Sequence, residues 1–169
     1  MDGGMSAWAT EGRALTDAVP IAHTGTLSPL RTKQIIVDAE YVRAHLATPG
    51  FSIVDGRASS FYDGVQSGGG AGTPHRTGHI AGARSVPFSE TTDAQFRVRS
   101  AAELEAIFTR AGVAPRDTVV GYCHIGQQAT AVLFAARTLG HPVLLYDGSF
   151  EDWSRRTDYP VENPAEKRS

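Results

Sequence analysis

Cys123 is the one cysteine among the 169 residues of the chain, and its surroundings make it a candidate nucleophile. Thr118-Val119-Val120-Gly121-Tyr122 is a short apolar run that ends at the thiol. His124-Ile125-Gly126-Gln127-Gln128 reads as a small glycine-bearing loop, and a helix is expected from about Ala129 to Leu139. A sulfur at that point lies beside the unpaired N–H groups and the positive dipole end of a helix start. Such surroundings stabilise a thiolate and bind anions. A thiolate in that cradle can attack an electrophilic centre and carry sulfur. A lone free cysteine is most often a small buried hydrophobe. Here the order strand, cysteine, loop, helix favours reactivity.

Arg57 follows the compact run Phe51 to Asp55. In an open parallel sheet the carboxyl ends of the strands form the ligand crevice. The guanidinium there either binds an anion beside the thiol or pairs with a nearby carboxylate. Arg76 follows a glycine-rich stretch and is expected at the solvated surface. His124 supplies positive charge or a hydrogen bond, or else faces solvent. His79 is expected to bond backbone within its own turn. His75 and His79 are four apart, but Gly78 between them argues against a helical metal pair, so no metal or cofactor is expected. A single cysteine also excludes a disulfide framework and a multi-cysteine metal site.

The elements that must position these residues alternate. Lys33 to Val37 reads as a strand; Asp38 caps a helix from about Ala39 to Ala47, stopped by Pro49 and Gly50. Phe51 to Asp55 reads as a buried parallel strand, Ser59 to Tyr62 as a helical turn, and Gln66 to Pro74 as a mobile surface loop. Arg84 to Pro87 is a brief strand. Ser100-Ala101-Ala102-Glu103 is a capping box opening a helix with Leu104, Ile107, Phe108 and Ala111 on one face, closed by Gly112. The helix after the thiol is apolar almost all round and is expected to be buried. Val143 to Tyr146 is a last strand, and Phe150 to Trp153 opens a final helical turn. This alternation implies βαβ units and a mainly parallel sheet covered on both faces.

A net charge of −2 with 41% hydrophobic residues fits one ordinary domain and gives no support for nucleic-acid or membrane binding. No apolar run approaches membrane-spanning length, and the N-terminus lacks a basic start followed by an apolar stretch. A free thiol fits a reducing compartment, so the expected location is cytoplasmic.

The chain also carries a partial repeat. Asp2-Gly3-Gly4-Met5-Ser6-Ala7-Trp8 and Asp147-Gly148-Ser149-Phe150-Glu151-Asp152-Trp153 both read Asp-Gly-small-large-x-x-Trp. The second copy follows a strand; in the first copy the matching strand would lie before Met1. The expected organisation is therefore a remnant of a preceding unit of the same type plus linker over 1–30, the main domain over 31–164, and a tail over 165–169. Asp147 and Trp153 are expected to shape the closing turn.

Four pieces together resemble the rhodanese family: Val54-Asp55-Gly56-Arg57, Gly78-His79-Ile80-Ala81-Gly82-Ala83, Tyr122-Cys123 with its loop, and Tyr146-Asp147-Gly148-Ser149-Phe150-Glu151-Asp152-Trp153. They occur in family order, and the chain is similar to the second, catalytic domain of a two-domain sulfurtransferase. The resemblance implies a five-stranded, mainly parallel sheet flanked by helices on both faces. It implies a Cys123 persulfide that takes sulfur from a small-molecule donor and passes it to a thiophilic acceptor such as cyanide or a thiol. Arg57 and the loop His124, Ile125, Gly126, Gln127 and Gln128 would bind the donor, chiefly through loop N–H groups. If the paired domain is missing, the surface it covered could serve a dimer.

Within the family, thiosulfate users often carry basic residues after the cysteine, and 3-mercaptopyruvate users small residues and a serine. This loop has neither; the expected donor is thiosulfate, with 3-mercaptopyruvate the alternative. Cysteine phosphatases of the same fold place an arginine after five intervening residues. Ala129 or Thr130 stands there, depending on where counting begins, so that activity lacks a part. A non-catalytic binding module is the third alternative.

Overall fold

The computed structural model describes residues 2–26, 28–29, 33–68 and 75–166. A central sheet contains β1 (Ile36–Val37), β2 (Phe51–Asp55), β4 (Arg84–Ser85), β5 (Thr118–Tyr122) and β6 (Val143–Tyr146), in the spatial order β1-β6-β5-β2-β4. Every pairing within it is parallel. The helices are α1 (Gly4–Thr10), α2 (Ala39–Ala44), α3 (Ser59–Tyr62), α4 (Ala101–Arg110), α5 (Gln127–Thr138) and α6 (Ser149–Arg155). The fold is the α/β architecture that the alternation predicts.

Side chains leave each strand alternately to the two faces. Ile53 and Val120 enter one apolar cluster with Val42, Phe150 and Trp153, beneath α2 and α6. Val54 and Val119 enter the other with Leu104, Phe108, Val132 and Leu133, beneath α4 and α5. This two-faced burial fixes the register of β2 against β5, Asp55 opposite Tyr122, and brings the ends that carry Arg57 and Cys123 side by side.

Several boundaries differ from the sequence expectation. The strand expected over Lys33 to Val37 shrinks to Ile36–Val37, and α2 ends at Ala44, three residues early. A second, antiparallel pair joins β3 (His79–Ile80) to β7 (Val161–Glu162); two-residue strands carry no periodicity to detect. The helix α5 is buried on one side only: Phe134 is 57% exposed, because α5 covers a sheet face rather than crossing a core. Of the glycine-rich stretch 66–74, residues 69–74 lie outside the described residues, as do Met1 and the tail beyond 166. Among the described residues no helix is long and apolar enough to cross a membrane.

The N-terminal repeat recurs in three dimensions. The helices α1 and α6 are both seven residues long and begin at equivalent positions, Gly4 and Ser149. Both of those residues take a left-handed backbone, with φ of 59° and 54°. Their surroundings differ: Phe150 and Trp153 are core residues, while Met5, the counterpart of Phe150, is 59% exposed and Trp8, the counterpart of Trp153, is half-buried. The segment is held by Asp2, whose carboxylate accepts the Val98 N–H at 2.9 Å.

Candidate functional site

Cys123 directly follows β5, and its residue is fully buried. The loop behind it is fastened to the start of α6. The Phe150 N–H donates to the Cys123 carbonyl at 3.0 Å, and the Glu151 N–H to the His124 carbonyl at 3.1 Å. In a trans peptide the C=O and the following N–H point opposite ways. With both carbonyls turned onto α6, the N–H groups of His124 and Ile125 must face away from it, into the loop. Among the described residues no protein acceptor takes the backbone N–H of His124, Ile125, Gly126, Gln127 or Gln128. Five consecutive donors without a partner, next to a thiol, form a cradle for negative charge.

Ser149 ties the nucleophile down and was not legible as a site residue. It is fully buried at a φ of 54°, unusual outside glycine. Its Oγ accepts the Cys123 N–H at 3.1 Å and donates to the Tyr146 carbonyl at 3.0 Å. The backbone conformation is held because that hydroxyl joins the end of β6 to the Cys123 peptide.

Arg57 is 1% exposed. Its Nη2 donates to Asp55 Oδ2 at 2.6 Å and to the Gly78 carbonyl at 2.7 Å, and its Nε to Asp55 Oδ1 at 3.0 Å. Burial disfavours the charge, and Asp55 more than offsets this, so the guanidinium pKa lies above its ordinary value. The carboxylate pairing is therefore realised, with Asp55 itself fully buried. Nη1 is used by neither partner. Arg57 also lies over the Phe150 ring at 4.1 Å and lines a small crevice with His124 and Gly68.

His124 stands edge-on to Phe61 at 4.6 Å between ring centroids. On its other side Gly68 comes so close that a Cβ there would lie 2.6 Å from Nδ1. Burial first, and Arg57 second, push the imidazole pKa below its ordinary value. A neutral imidazole at pH 7 can hydrogen-bond a ligand but brings no charge, which narrows the two roles its sequence position left open. The crevice has a volume of about 10 Å³, room for about one water.

Residues 38–156 match the family model described as "Rhodanese-like domain". The chain belongs to the rhodanese family. Among curated proteins it is 30% identical to the sulfur carrier protein TtuD of Thermus thermophilus, over 95% of this chain and 60% of that one. It is 26% identical to a thiosulfate sulfurtransferase of Pseudomonas aeruginosa (96% and 58% covered). It is 29% identical to a probable 3-mercaptopyruvate sulfurtransferase of the same organism (95% and 56%). The chain thus spans somewhat under two thirds of these relatives. A solved structure of EanB carrying a cysteine persulfide, with ergothioneine, superimposes with a TM-score of 0.83 at 25% identity, over 96% of this chain and 41% of that one.

Within this rhodanese fold the loop is shorter than the sequence suggests. Gln127 and Gln128 already belong to the first turn of α5, with Gly126 as N-cap at a φ of 88°. The helix starts two residues before Ala129 because Gly126 makes the left-handed turn. Ile125 is 65% exposed at the rim, and the Oε1 of Gln128 is the one buried side-chain polar atom without a partner among the described residues. Arg76 is not a solvated surface residue. Its guanidinium donates to the carbonyls of Trp153, Ser154, Arg156 and Tyr159, at 3.1, 3.1, 2.6 and 2.7 Å, and so caps the end of α6. His79 is structural, but its backbone partner lies outside its own turn: Nδ1 bonds the Tyr62 carbonyl, 17 residues earlier, at 2.8 Å, and the ring stacks on Tyr62. His75 meets Ser154 Oγ at 2.9 Å and Glu151 at 3.1 Å. Among the described residues no group of three or more His, Cys, Asp or Glu could hold a metal ion.

Gly126 is the position where the loop tolerates least. A Cβ there would lie 2.6 Å from Asp147 Oδ1 and 3.2 Å from its carbonyl, on a left-handed backbone. The Asp147 side chain can swing away; the backbone strain cannot be relieved so easily. Gly126→Ala is expected to cost about 1–2 kcal/mol and to slow alkylation of Cys123 by iodoacetamide. Unchanged melting temperature and unchanged alkylation rate would show that the loop does not need this turn.

Proposed function

We propose that the chain is a thiosulfate sulfurtransferase acting through a Cys123 persulfide. The observation that carries the reading is the run of five partnerless amides beside the thiol, formed because the Cys123 and His124 carbonyls are spent on α6. Family membership and the sulfurtransferases among the relatives support it. In the first half-reaction the Cys123 thiolate attacks the outer sulfur of thiosulfate. The S–S bond breaks, sulfite leaves with its electron pair, and Cys123–S–S⁻ remains. In the second, cyanide or a thiolate attacks the outer sulfur, the new S–C or S–S bond forms, and the Cys123 thiolate returns. The amides of His124 to Gln128 stabilise each anion in turn, with Arg57 Nη1 and His124 at the mouth. The crevice is lined by Arg57, Arg76, His75 and His124 together with one carboxylate, Glu151.

The experiment is to incubate the protein with thiosulfate and cyanide, with 3-mercaptopyruvate and cyanide, and with p-nitrophenyl phosphate. Thiocyanate from thiosulfate, and a mass gain of one sulfur on Cys123 after donor alone, are expected. Faster thiocyanate from 3-mercaptopyruvate would make that the donor. Nitrophenol without thiocyanate would move the chain to the phosphatases, although Ala129 or Thr130, neither of them an arginine, stands in the place of theirs. No sulfur on Cys123 under donor saturation would leave a binding module.

The same reading extends to organisation and setting. Residues 1–30 are the close of a preceding rhodanese-like unit with its linker, ahead of a catalytic domain over 31–164 and a tail over 165–169. The matched start of α1 and α6 and the left-handed φ shared by Gly4 and Ser149 support this, while the preceding Gly3 and Gly148 take opposite hands, with φ of 77° and −55°. Leu15, Val19 and Ile21, 63%, 89% and 83% exposed, then belong to a surface that such a unit or a second copy would cover. A persulfide cycle needs a thiol kept reduced, which fits the cytoplasm.

A further inference from the structure

A cleft of about 510 Å³ lies at the end of the sheet opposite Cys123. It is a strand length, about 17 Å, from the thiol. It exists because β1 is too short. On β6, Pro142 accepts the Val119 N–H at 2.9 Å on the β5 side, and Leu145 donates to the Ile35 carbonyl at 2.7 Å on the β1 side. Alternation along a strand therefore turns the N–H and C=O of Val143 to the β1 side as well. But β1 begins only at Ile36, and Lys33, Gln34 and Ile35 ahead of it line the cleft without a backbone bond to Val143. Among the described residues neither Val143 group has a backbone partner there. The sheet is left with a notch offering one free donor and one free acceptor, spaced for an extended chain.

The walls of the notch carry the apolar and aromatic side chains of Ile35, Leu144, Tyr41 and Phe51, with Gln34, Thr118 and His141 among them. Its rim carries two cations, Lys33 and Arg137. Among the described residues neither makes an ion pair or a side-chain hydrogen bond, and no carboxylate lines the cleft. This is a combination of three features: an unpaired strand edge, apolar pockets for alternate side chains, and uncompensated positive charge where the edge stops. An extended peptide with apolar last residues and a free terminal carboxylate complements all three. Its main-chain amide pairs with Val143, and its carboxylate meets Arg137, bidentate, with Lys33 as the second charge.

We propose that this notch is a docking site for the free C-terminus of an extended apolar peptide, separate from the sulfur-transfer site. The proposal does not rest on the sulfurtransferase reading.

The test is a titration of the full chain, followed by amide NMR, with an N-acetylated tetrapeptide ending in Ala-Val-Leu. The peptide is used once with a free carboxylate and once amidated. Saturable shifts centred on Val143 and its neighbours are expected, with about tenfold weaker binding after amidation and again in Arg137→Ala, the size of one charge-assisted hydrogen bond. Arg137 is exposed and outside the cradle, so that variant is expected to keep its fold and its rate of thiocyanate formation. Equal binding of the two peptides, shifts centred on the Cys123 loop, or no saturation would each overturn the proposal. Loss of thiocyanate formation in the wild-type chain would bear on the other reading and leave this one standing.

Discussion

Replacing Cys123 by serine is expected to abolish thiocyanate formation, by on the order of 10⁴-fold or more, while the fold survives. The argument turns on what the oxygen cannot do. A serine hydroxyl at neutral pH is not ionised, and it forms no relay corresponding to a persulfide. No other sulfur nucleophile exists in the chain to take over, since Cys123 is its one cysteine. The structural cost is modest, because the two side chains differ little in volume and the site is lined by unused donors. A buried hydroxyl left without a partner costs about 1–3 kcal/mol. The Cys123 backbone keeps its bonds to Ser149 and Phe150 in the variant. Initial rates with thiosulfate and cyanide, beside a circular-dichroism melt, check both halves. Residual catalysis at a tenth of the native rate would remove the thiol from the mechanism. A collapse of the melt would show that the sulfur is needed for packing as well.

The parts that were legible in the sequence are those whose chemistry is local. Ser100 and Glu103 declare a helix start, and both reciprocal bonds of the capping box form, Ser100 N to Glu103 Oε2 at 3.0 Å and Glu103 N to Ser100 Oγ at 3.4 Å. Thr118 to Tyr122 declares itself as a strand because a run buried on both faces must be apolar throughout, and Val143 to Tyr146, half-buried up to its last residue, because it too is a short apolar run between turns. The order of strand, thiol and helix is equally local. What was hidden depends on partners far along the chain. Nothing near Arg76 says that four carbonyls between Trp153 and Tyr159 await it. The role of Ser149 follows from a contact with a residue 26 positions earlier, and its own neighbours show only a tight Asp-Gly turn. For Arg57 the carboxylate was near enough to be considered, two residues away. Whether it or a ligand would take the guanidinium depended on how deep the strand end lies.

That depth sets the second large effect. Asp55→Ala is expected to destabilise the fold by about 3–5 kcal/mol, the usual consequence of stranding one member of a buried pair. The side chains concerned are 2% and 0% exposed, so solvent screening does little to soften the loss. Without the carboxylate, Arg57 keeps the Gly78 carbonyl and the faces of Phe150 and Tyr122, at 4.1 and 5.8 Å, none of which neutralises its charge. For a chain of this size the melting temperature is expected to fall by roughly 6–20 °C. The double replacement Asp55→Leu with Arg57→Met removes both charges and restores shape, so it is expected to recover most of the lost stability. Recovery of stability without recovery of thiosulfate affinity would locate a substrate contact at Arg57 Nη1, beyond its structural part. Recovery of both would leave the amides of the Cys123 loop as the anion site. A single Asp55→Ala variant that melts like the native protein would show that this pair carries no stability, and that the strand end is held by the sheet alone.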